Sequence, residues 1–431
     1  MTRTNVPNAA RERAIERRRT FHQYPEPSWC EFLTTSRLVD HVEEIGVDEV
    51  IVGRDALRSE DRLGLPDEDV MTRWRSKAEE AGARADVLEA TEGGNTGLIA
   101  VLEGGSGPVV GLRVDIDALP FEEATDSEHT PSVEGFRSQN SGVMHACGHD
   151  AHMSIGLGVL EALASADLEG TFKLFFQPAE EVLGGGYPMA ETDHVDDVDR
   201  FFAVHVGLEH PTGTVVAGGD KPLAVRQSTA TFGGESVHAG LEPENGRNAM
   251  QAMATAITNL YGIARHSEDL TRVNVGRAEA GEASNVVADN ASIELEVRSG
   301  DNDVLDYMTE SADRVLRSAA DMHECSLSTA VGGRAPRVDS DDSLRRLVDD
   351  VAQEVEGVET VRPSAELGVS EDVTYLMQRV IDDGGDATFV IVGTDHPSGH
   401  HTPRFDVDET SLEIGIDVLT RSIRAAMADG D

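Results

Sequence analysis

The stretch MHACGHDAH, residues 144–152, sets three histidines, a cysteine and an aspartate within nine positions. Free cysteine is most often a small buried side chain, and a thiol beside imidazoles is also a soft metal ligand. The stretch alone leaves both readings open. Its flanks are more decisive. Strand-like segments TGLIAVLE (96–103) and PVVGLRVDID (108–117) precede it, a helical SIGLGVLEALASA (154–166) follows, and then come TFKLFFQP (171–178) and RFFAVHVG (200–207). Apolar strands alternating with helices predict an α/β layer built on a buried parallel or mixed sheet. Ligands in such sheets gather at the carboxyl ends of strands.

Further out, ARERAIERRRTFH leads through YPEP into LTTSRLVDHVEEIG, a second helical stretch that stops at a glycine. Residues 54–93 read as charged helix and surface loop. From residue 223 to 331 the texture changes to a self-contained set. It comprises STATFGGESVHAG as strand and turn, the helix NAMQAMATAITNLYGIARH, strands RVNVGRAEAG and ASIELEVRS, and the helix VLDYMTESADRVLRSAADMHE. Two helices on one antiparallel sheet make a small α+β domain. The strand ATFVIVG (387–393) then returns to the first layer. The expected organisation is one discontinuous domain, 1–222 with 332–431, interrupted by a smaller one, 223–331.

Composition narrows the function classes. A hydrophobic fraction of 39% in 431 residues is enough for globular cores. Three scattered cysteines argue against a disulfide framework and for a reducing, cytoplasmic setting. The N-terminal MTRTNVPNAARERAIERRRT lacks the apolar core of a signal peptide, and no later run approaches a membrane span. The formal net charge is -44, and Lys77, Lys173 and Lys221 are the only lysines. That excess of carboxylate disfavours nucleic acid and anionic membrane as partners and fits a halophilic protein whose self-repulsion is screened by salt.

Six residues with metal-binding chemistry fall where predicted strands end or just before the last helix. Cys147 and His149 lie in the opening stretch, Glu180 and Glu181 follow FFQPA, His205 ends FFAVHV, and His401 sits in SGHHTPRFDVDE. A lone histidine beside an apolar strand is usually a satisfied core residue, and an adjacent glutamate pair is usually solvated. Together, though, imidazole, carboxylate and thiolate make a donor set suited to zinc or manganese, and their number suits two ions. One glutamate would coordinate while the other stays available to move a proton. No G-x-S-x-G elbow and no strand-borne G-x-G-x-x-G is present, so serine-hydrolase and dinucleotide readings are weak.

MHACGHDAH, FFQPAEE, AVHVG, ESVHAG and HHTPRFDVDE, in that order, resemble the motifs of the metal-dependent amidohydrolases that include hippurate hydrolase and auxin-amino-acid conjugate hydrolase. The resemblance covers essentially the whole chain. LGLPDE within residues 51–95, and SEDVTYLM ahead of GHH, are similar to the branch of that family acting on p-aminobenzoyl-glutamate. The resemblance implies a zinc-peptidase-like catalytic domain with a lid and dimerisation domain. It also implies Cys147, His149, Glu181, His205 and His401 as ligands, with Cys147 between two divalent ions, manganese first and zinc second, and Glu180 as general base and then acid. His238 of ESVHAG is implied as an oxyanion donor, reaching into a partner's site. Asn285 and Arg298 are implied to hold substrate, Arg298 through a bidentate grip on a carboxylate.

Asp115 and Asp117 stand where related two-metal peptidases carry a His-x-Asp pair, and both are expected as supporting residues, with direct contact to metal left open. Asp150 is expected either to orient a ligand imidazole or to cap a helix. The activity implied is hydrolysis of N-acyl amino acids, p-aminobenzoyl-glutamate or a similar acyl-glutamate foremost. Aminoacylase, hippuricase or carboxypeptidase action at the same site is the alternative, and a non-catalytic subunit of a heterodimer, in place of a homodimer, is a further one.

Overall fold

The computed structural model describes residues 8–428, so the first seven positions of the N-terminal stretch read above, and 429–431, lie outside the described residues. The chain forms two compact units. The first comprises the chain up to Asp220, Val338–Leu367 and the chain from Asp372 onward; the second comprises Lys221–Arg337 and Gly368–Glu371.

The first unit is built on an eight-stranded mixed sheet. Its strands lie in the order Glu49–Val52, Leu98–Glu103, Thr171–Gln177, Val109–Asp115, Arg200–Val206, Asp386–Val392, Thr214–Val216, Thr360–Arg362. The four central strands, Thr171–Gln177 to Asp386–Val392, run parallel. Their side chains alternate between two cores. Phe172, Leu174 and Phe176 enter one with Val110, Leu112 and Val114, while Phe175, Phe201 and Phe389 enter the other. Both faces are covered, which is why these strands read as unbroken apolar runs. Each fully buried phenylalanine contributes roughly 1.5–3 kcal/mol relative to exposure.

The helix His149–Ala164 lies on the first face against Asn8–Gln23 and Thr410–Ala428. A Cβ on Gly158 would stand 2.4 Å from Ile416 Cδ1, so glycine is what lets two of these helices approach closely. Residues 54–93, expected as charged helix and surface loop, hold the 3-10 turns Gly53–Asp55 and Ser59–Asp61 and the helices Glu68–Glu80 and Ala85–Ala90.

The second unit has one antiparallel sheet, in the order Ser326–Ala335, Ala224–Gly233, Asn290–Ser299, Thr271–Ala280, with helices Ala249–Tyr261 and Asn302–Met322. Alanines of the first helix and Val304, Met308, Ala312 and Leu316 of the second join the sheet's apolar face. The expected boundary at Val331 falls inside the strand Ser326–Ala335. That strand pairs with Ala224–Gly233 as far as Ala335, which carries the unit on to Arg337. Among the described residues no helix is long and apolar enough to cross a membrane.

Candidate metal centre

Three parallel strands deliver the site from their carboxyl ends. Val109–Asp115 runs out into Asp117, Thr171–Gln177 into Pro178, Ala179, Glu180 and Glu181, and Arg200–Val206 carries His205 next to its last residue. The helix expected from Ser154 begins earlier, at His149, so the histidine sits in its first turn. Gly148 ahead of it has φ 91, and a Cβ there would lie 2.5 Å from Val206 Cγ2. Only glycine allows the chain to turn that tightly between Cys147 and His149. His401 comes from the loop before the last helix, at φ 59, with its N–H donated to the Ala146 carbonyl at 2.8 Å.

Donor atoms of Cys147, His149 and His205 lie within 4.8 Å of one another, and so do those of Cys147, Glu181 and His401. The sulfur is common to both triads. Cys147 Sγ is 3.5 Å from His205 Nε2, His149 Nε2 is 3.7 Å from Glu181 Oε1, and His401 Nε2 is 3.5 Å from Glu181 Oε2. Glu180, His149 and Glu181 form a further group within the same 4.8 Å. The five residues expected as ligands, and the glutamate expected as base, are thus neighbours in space.

The surrounding hydrogen bonds choose tautomers. His149 Nδ1 donates to the Asp117 carbonyl at 2.8 Å and His205 Nδ1 to the Val206 carbonyl at 2.8 Å, which leaves each Nε2 lone pair directed at the cluster. Asp117 also takes the backbone N–H groups of Glu180 and Glu181 on its two oxygens, each at 3.1 Å, and the Ser28 hydroxyl at 2.6 Å. Asp115 supports from behind. It accepts His152 Nδ1 at 2.5 Å and Arg113 at 2.6 Å, and His152 Nε2 in turn accepts the Val206 N–H at 2.9 Å. With both ring nitrogens engaged, His152 braces the strand that carries His205.

The expectation that Asp150 orients a ligand ring or caps the helix is corrected. Its Oδ2 takes His22 Nδ1 at 2.8 Å and Arg18 Nε at 3.0 Å, and the helix cap is Gly148, with no side-chain cap bond. The His149 ring is oriented instead by the Asp117 carbonyl and the His205 ring by the Val206 carbonyl. Arg113, Gln177 and Asp372 form a buried chain of hydrogen bonds that no motif of the sequence marks. Arg113 Nε donates to Gln177, Gln177 donates to Asp372 at 2.7 Å, and Asp372 receives the Gly185 and Gly186 N–H groups just beyond Glu181. The available signal was an arginine inside an otherwise apolar strand, where a buried cation requires a buried anion.

The electrostatics fit a cation. Burial works against charge on His149, yet Asp115, Asp117 and Glu181 raise it to about 10, so a proton there occupies the place a metal charge would take. Its Nε2 is buried and has no hydrogen-bond partner among the described residues. Burial and the neighbouring His152 hold His205 well below the usual range, and burial with His149 lowers His401, which keeps both rings neutral and able to coordinate. His145, in the same stretch, is pushed down to about 4 by burial, and among the described residues neither of its ring nitrogens has a hydrogen-bond partner.

The remaining expected residues belong to the second unit. His238 and Asn285 meet there: His238 bridges to Val286, and the Ala239 N–H donates to the Asn285 carbonyl at 3.0 Å. Both are exposed. Arg298 forks the Glu296 carboxylate at 2.6 and 2.8 Å.

Residues 111–425 match peptidase family M20/M25/M40. The chain belongs to this family. It is 40% identical over 410 residues to one of the p-aminobenzoyl-glutamate hydrolase chains of Escherichia coli, covering 94% of each chain. To indole-3-acetyl-aspartic acid hydrolase of Enterobacter agglomerans it is 42% identical over 407 residues, covering 93% of each. Among solved structures, the aminobenzoyl-glutamate utilization protein of Klebsiella pneumoniae aligns over 96% of both chains with TM-score 0.83 and 35% identity. The fold is shared with the Bacillus subtilis YXEP protein, a dinuclear metal-binding M20 peptidase, at TM-score 0.67 and 24% identity over 98% and 99% of the two chains. As a member of the M20 family the chain is a metal-dependent amidohydrolase, and its mixed α/β sheet is the fold of that family.

Proposed function

We propose that this M20 enzyme hydrolyses the amide between an aromatic acyl group and an acidic amino acid, with p-aminobenzoyl-glutamate as the foremost substrate. The observation that carries this reading is the pair of donor triads sharing Cys147, with Glu180 alongside. Cys147, His149, Glu181, His205 and His401 would hold two divalent ions, manganese first and zinc second. Bound there, such ions supply polarisation of the scissile carbonyl and acidify a water.

The chain's own part is proton movement and grip. Glu180 takes the proton of the attacking water as the new C–O bond forms. It returns that proton to the amide nitrogen as the C–N bond breaks, releasing acid and amine. Asp117 keeps Glu180 and Glu181 apart in role by fixing both backbones. His238 would donate to the oxyanion from a partner copy or a related protein, and Asn285 and Arg298 would hold the substrate's amino-acid part. For Arg298 this requires exchanging Glu296 for a substrate carboxylate, like for like. The two named relatives act, by their names, on aromatic acyl conjugates of glutamate and aspartate, which supports an acidic amino acid as the shared feature. The charge of -44 supports a cytoplasm rich in salt as the working solvent.

The test is an assay in high salt, with manganese or zinc restored to chelator-stripped protein. The panel is p-aminobenzoyl-glutamate, indole-3-acetyl-aspartate, hippurate and aliphatic acyl amino acids. Turnover of the first two in preference to the rest is expected; turnover confined to aliphatic acyl groups overturns the substrate assignment. Glu180→Gln should keep its metal and lose turnover by about 10²–10⁴-fold, and an active Glu180→Gln enzyme removes Glu180 from its role.

A further inference from the structure

Glu31 is a fully buried carboxylate that the reaction outlined above leaves unused. It stands immediately before the helix Phe32–Ile45, yet its side chain does not cap that helix. Its Oε2 accepts the Thr96 hydroxyl at 2.6 Å, and its Oε1 accepts the N–H of Ala179 at 2.9 Å. Ala179 is the residue just before Glu180 and has φ 54, a left-handed conformation that costs a non-glycine residue about 1 kcal/mol or more. Such a backbone persists only where its surroundings over-determine it.

Three successive amides are held in this way. The N–H of Ala179 goes to Glu31, that of Glu180 to Asp117 Oδ1, and that of Glu181 to Asp117 Oδ2. Two buried carboxyl groups therefore set the path of the chain through Ala179–Glu181. Burial, with the Asp117 charge nearby, pushes Glu31 up to about 8. A buried carboxyl with both oxygens engaged points to a geometric need that an apolar side chain would not meet.

Packing adds to the same restraint. Trp29, fully buried at φ 63, sits with Leu57, Ala179 and Val182, and donates its indole N–H to the Leu63 carbonyl at 2.7 Å. A Cβ on Gly184 would meet that same carbonyl at 2.3 Å. The segment that follows Glu181 is thus enclosed by the one that contains Trp29 and Glu31.

We propose that Glu31 is a positioning residue. By receiving the Ala179 amide it holds the left-handed turn that aims Glu180 and Glu181 into the metal centre. The inference rests on the roles given above to those two glutamates.

The experiment compares Glu31→Gln and Glu31→Leu in the full chain, with Glu180→Gln as reference. A carboxamide oxygen can still accept the Ala179 N–H while its NH2 faces the Thr96 hydroxyl; leucine offers no acceptor. Glu31→Leu should lower kcat by about 10²-fold with KM little moved, and Glu31→Gln should restore most of it. Independently of activity, hydrogen exchange in a peptide spanning residues 172–186 should speed up in Glu31→Leu and stay near wild type in Glu31→Gln.

Wild-type kcat in Glu31→Leu, an effect confined to KM, an equal loss in both variants, or unchanged exchange would each overturn the proposal. If Glu31→Leu does not fold, Thr96→Val removes one of the two anchors of the carboxylate and should give the same pattern at lower amplitude, with unchanged exchange and kcat counting against it. The underlying reading fails separately: it falls if Glu180→Gln is active, whatever exchange shows.

Discussion

The carbonyl oxygen of Asp117 accepts the Nδ1–H of His149 at 2.8 Å, while the carboxylate of the same residue receives the backbone of Glu180 and Glu181. One aspartate thereby links the histidine helix to the glutamate loop, through its backbone on one side and its side chain on the other. Asp117→Ala keeps the first link and cuts the second. Loss of an outer partner of this kind typically costs 10–100-fold in metal affinity or activity, and about that loss is expected here. Titration of stripped protein against a competing chelator measures it; wild-type affinity together with wild-type kcat would show that the loop holds its shape without Asp117.

Metal itself should act as a folding ligand. Returning a divalent ion to stripped protein at about 100 times its Kd should add about 2.7 kcal/mol of stability, visible as a rise in Tm. Cys147→Ser then separates the ions. Thiolate favours zinc more than manganese, so the variant should lose more zinc affinity than manganese affinity. Equal losses for both would mean that the sulfur, although common to both donor triads, does not select the metal.

What the sequence made legible was set by local pattern. The central strands are apolar runs long enough to be recognised alone; Glu180 and Glu181 follow the strand Thr171–Gln177 closely, His205 is the last residue but one of Arg200–Val206, and Cys147 and His149 share one short motif at a helix start. Less legible were features that depend on distant partners. The strand Ser326–Ala335, whose burial hardly alternates, is fixed by pairing with Ala224–Gly233, so the boundary expected at Val331 cut through it. Asp150 could be placed next to a ligand but not assigned a partner, because Arg18 and His22 reach it from more than a hundred residues away. Glu31, Arg113 and Asp372 escaped for the same reason. Their meaning lies in burial, which no spacing of residues announces.

His22 gives the enzyme an alkaline limit to its stability. Both ring nitrogens face carboxylates, Asp150 at 2.8 Å and Glu123 at 2.9 Å, so the ring is held as imidazolium. Burial opposes that charge, but the two acids prevail and raise it to about 9 from an ordinary 6.5. A group with a raised folded-state value stabilises fully below its unfolded value and loses that contribution as pH climbs through the folded one. The folded protein should therefore lose up to about 3 kcal/mol between pH 6.5 and 9. His22→Gln should flatten that slope in denaturant titrations at stepped pH, and an unchanged slope would assign it elsewhere.

Salt should stabilise this protein where it weakens many others. Acidic residues number 80 against 36 lysines and arginines. Many of the arginines are already paired at the surface, as Arg84 is with Asp40, Glu43 and Asp86. Exposed pairs of this kind contribute about 0–1 kcal/mol each, and salt screens them too. The unpaired excess of carboxylates is the larger sum, however, and it acts over distances comparable to the screening length, which contracts from about 10 Å at 0.1 M salt to about 3 Å at 1 M. Repulsion therefore fades faster than attraction as salt is added, because the close pairs lie inside the screening length and the scattered acids do not. Tm measured across a potassium chloride series should climb steadily to 1 M and beyond. A flat or falling series would mean that the acidic surface is already neutralised by close contacts, and the high-salt solvent inferred from the charge would be wrong.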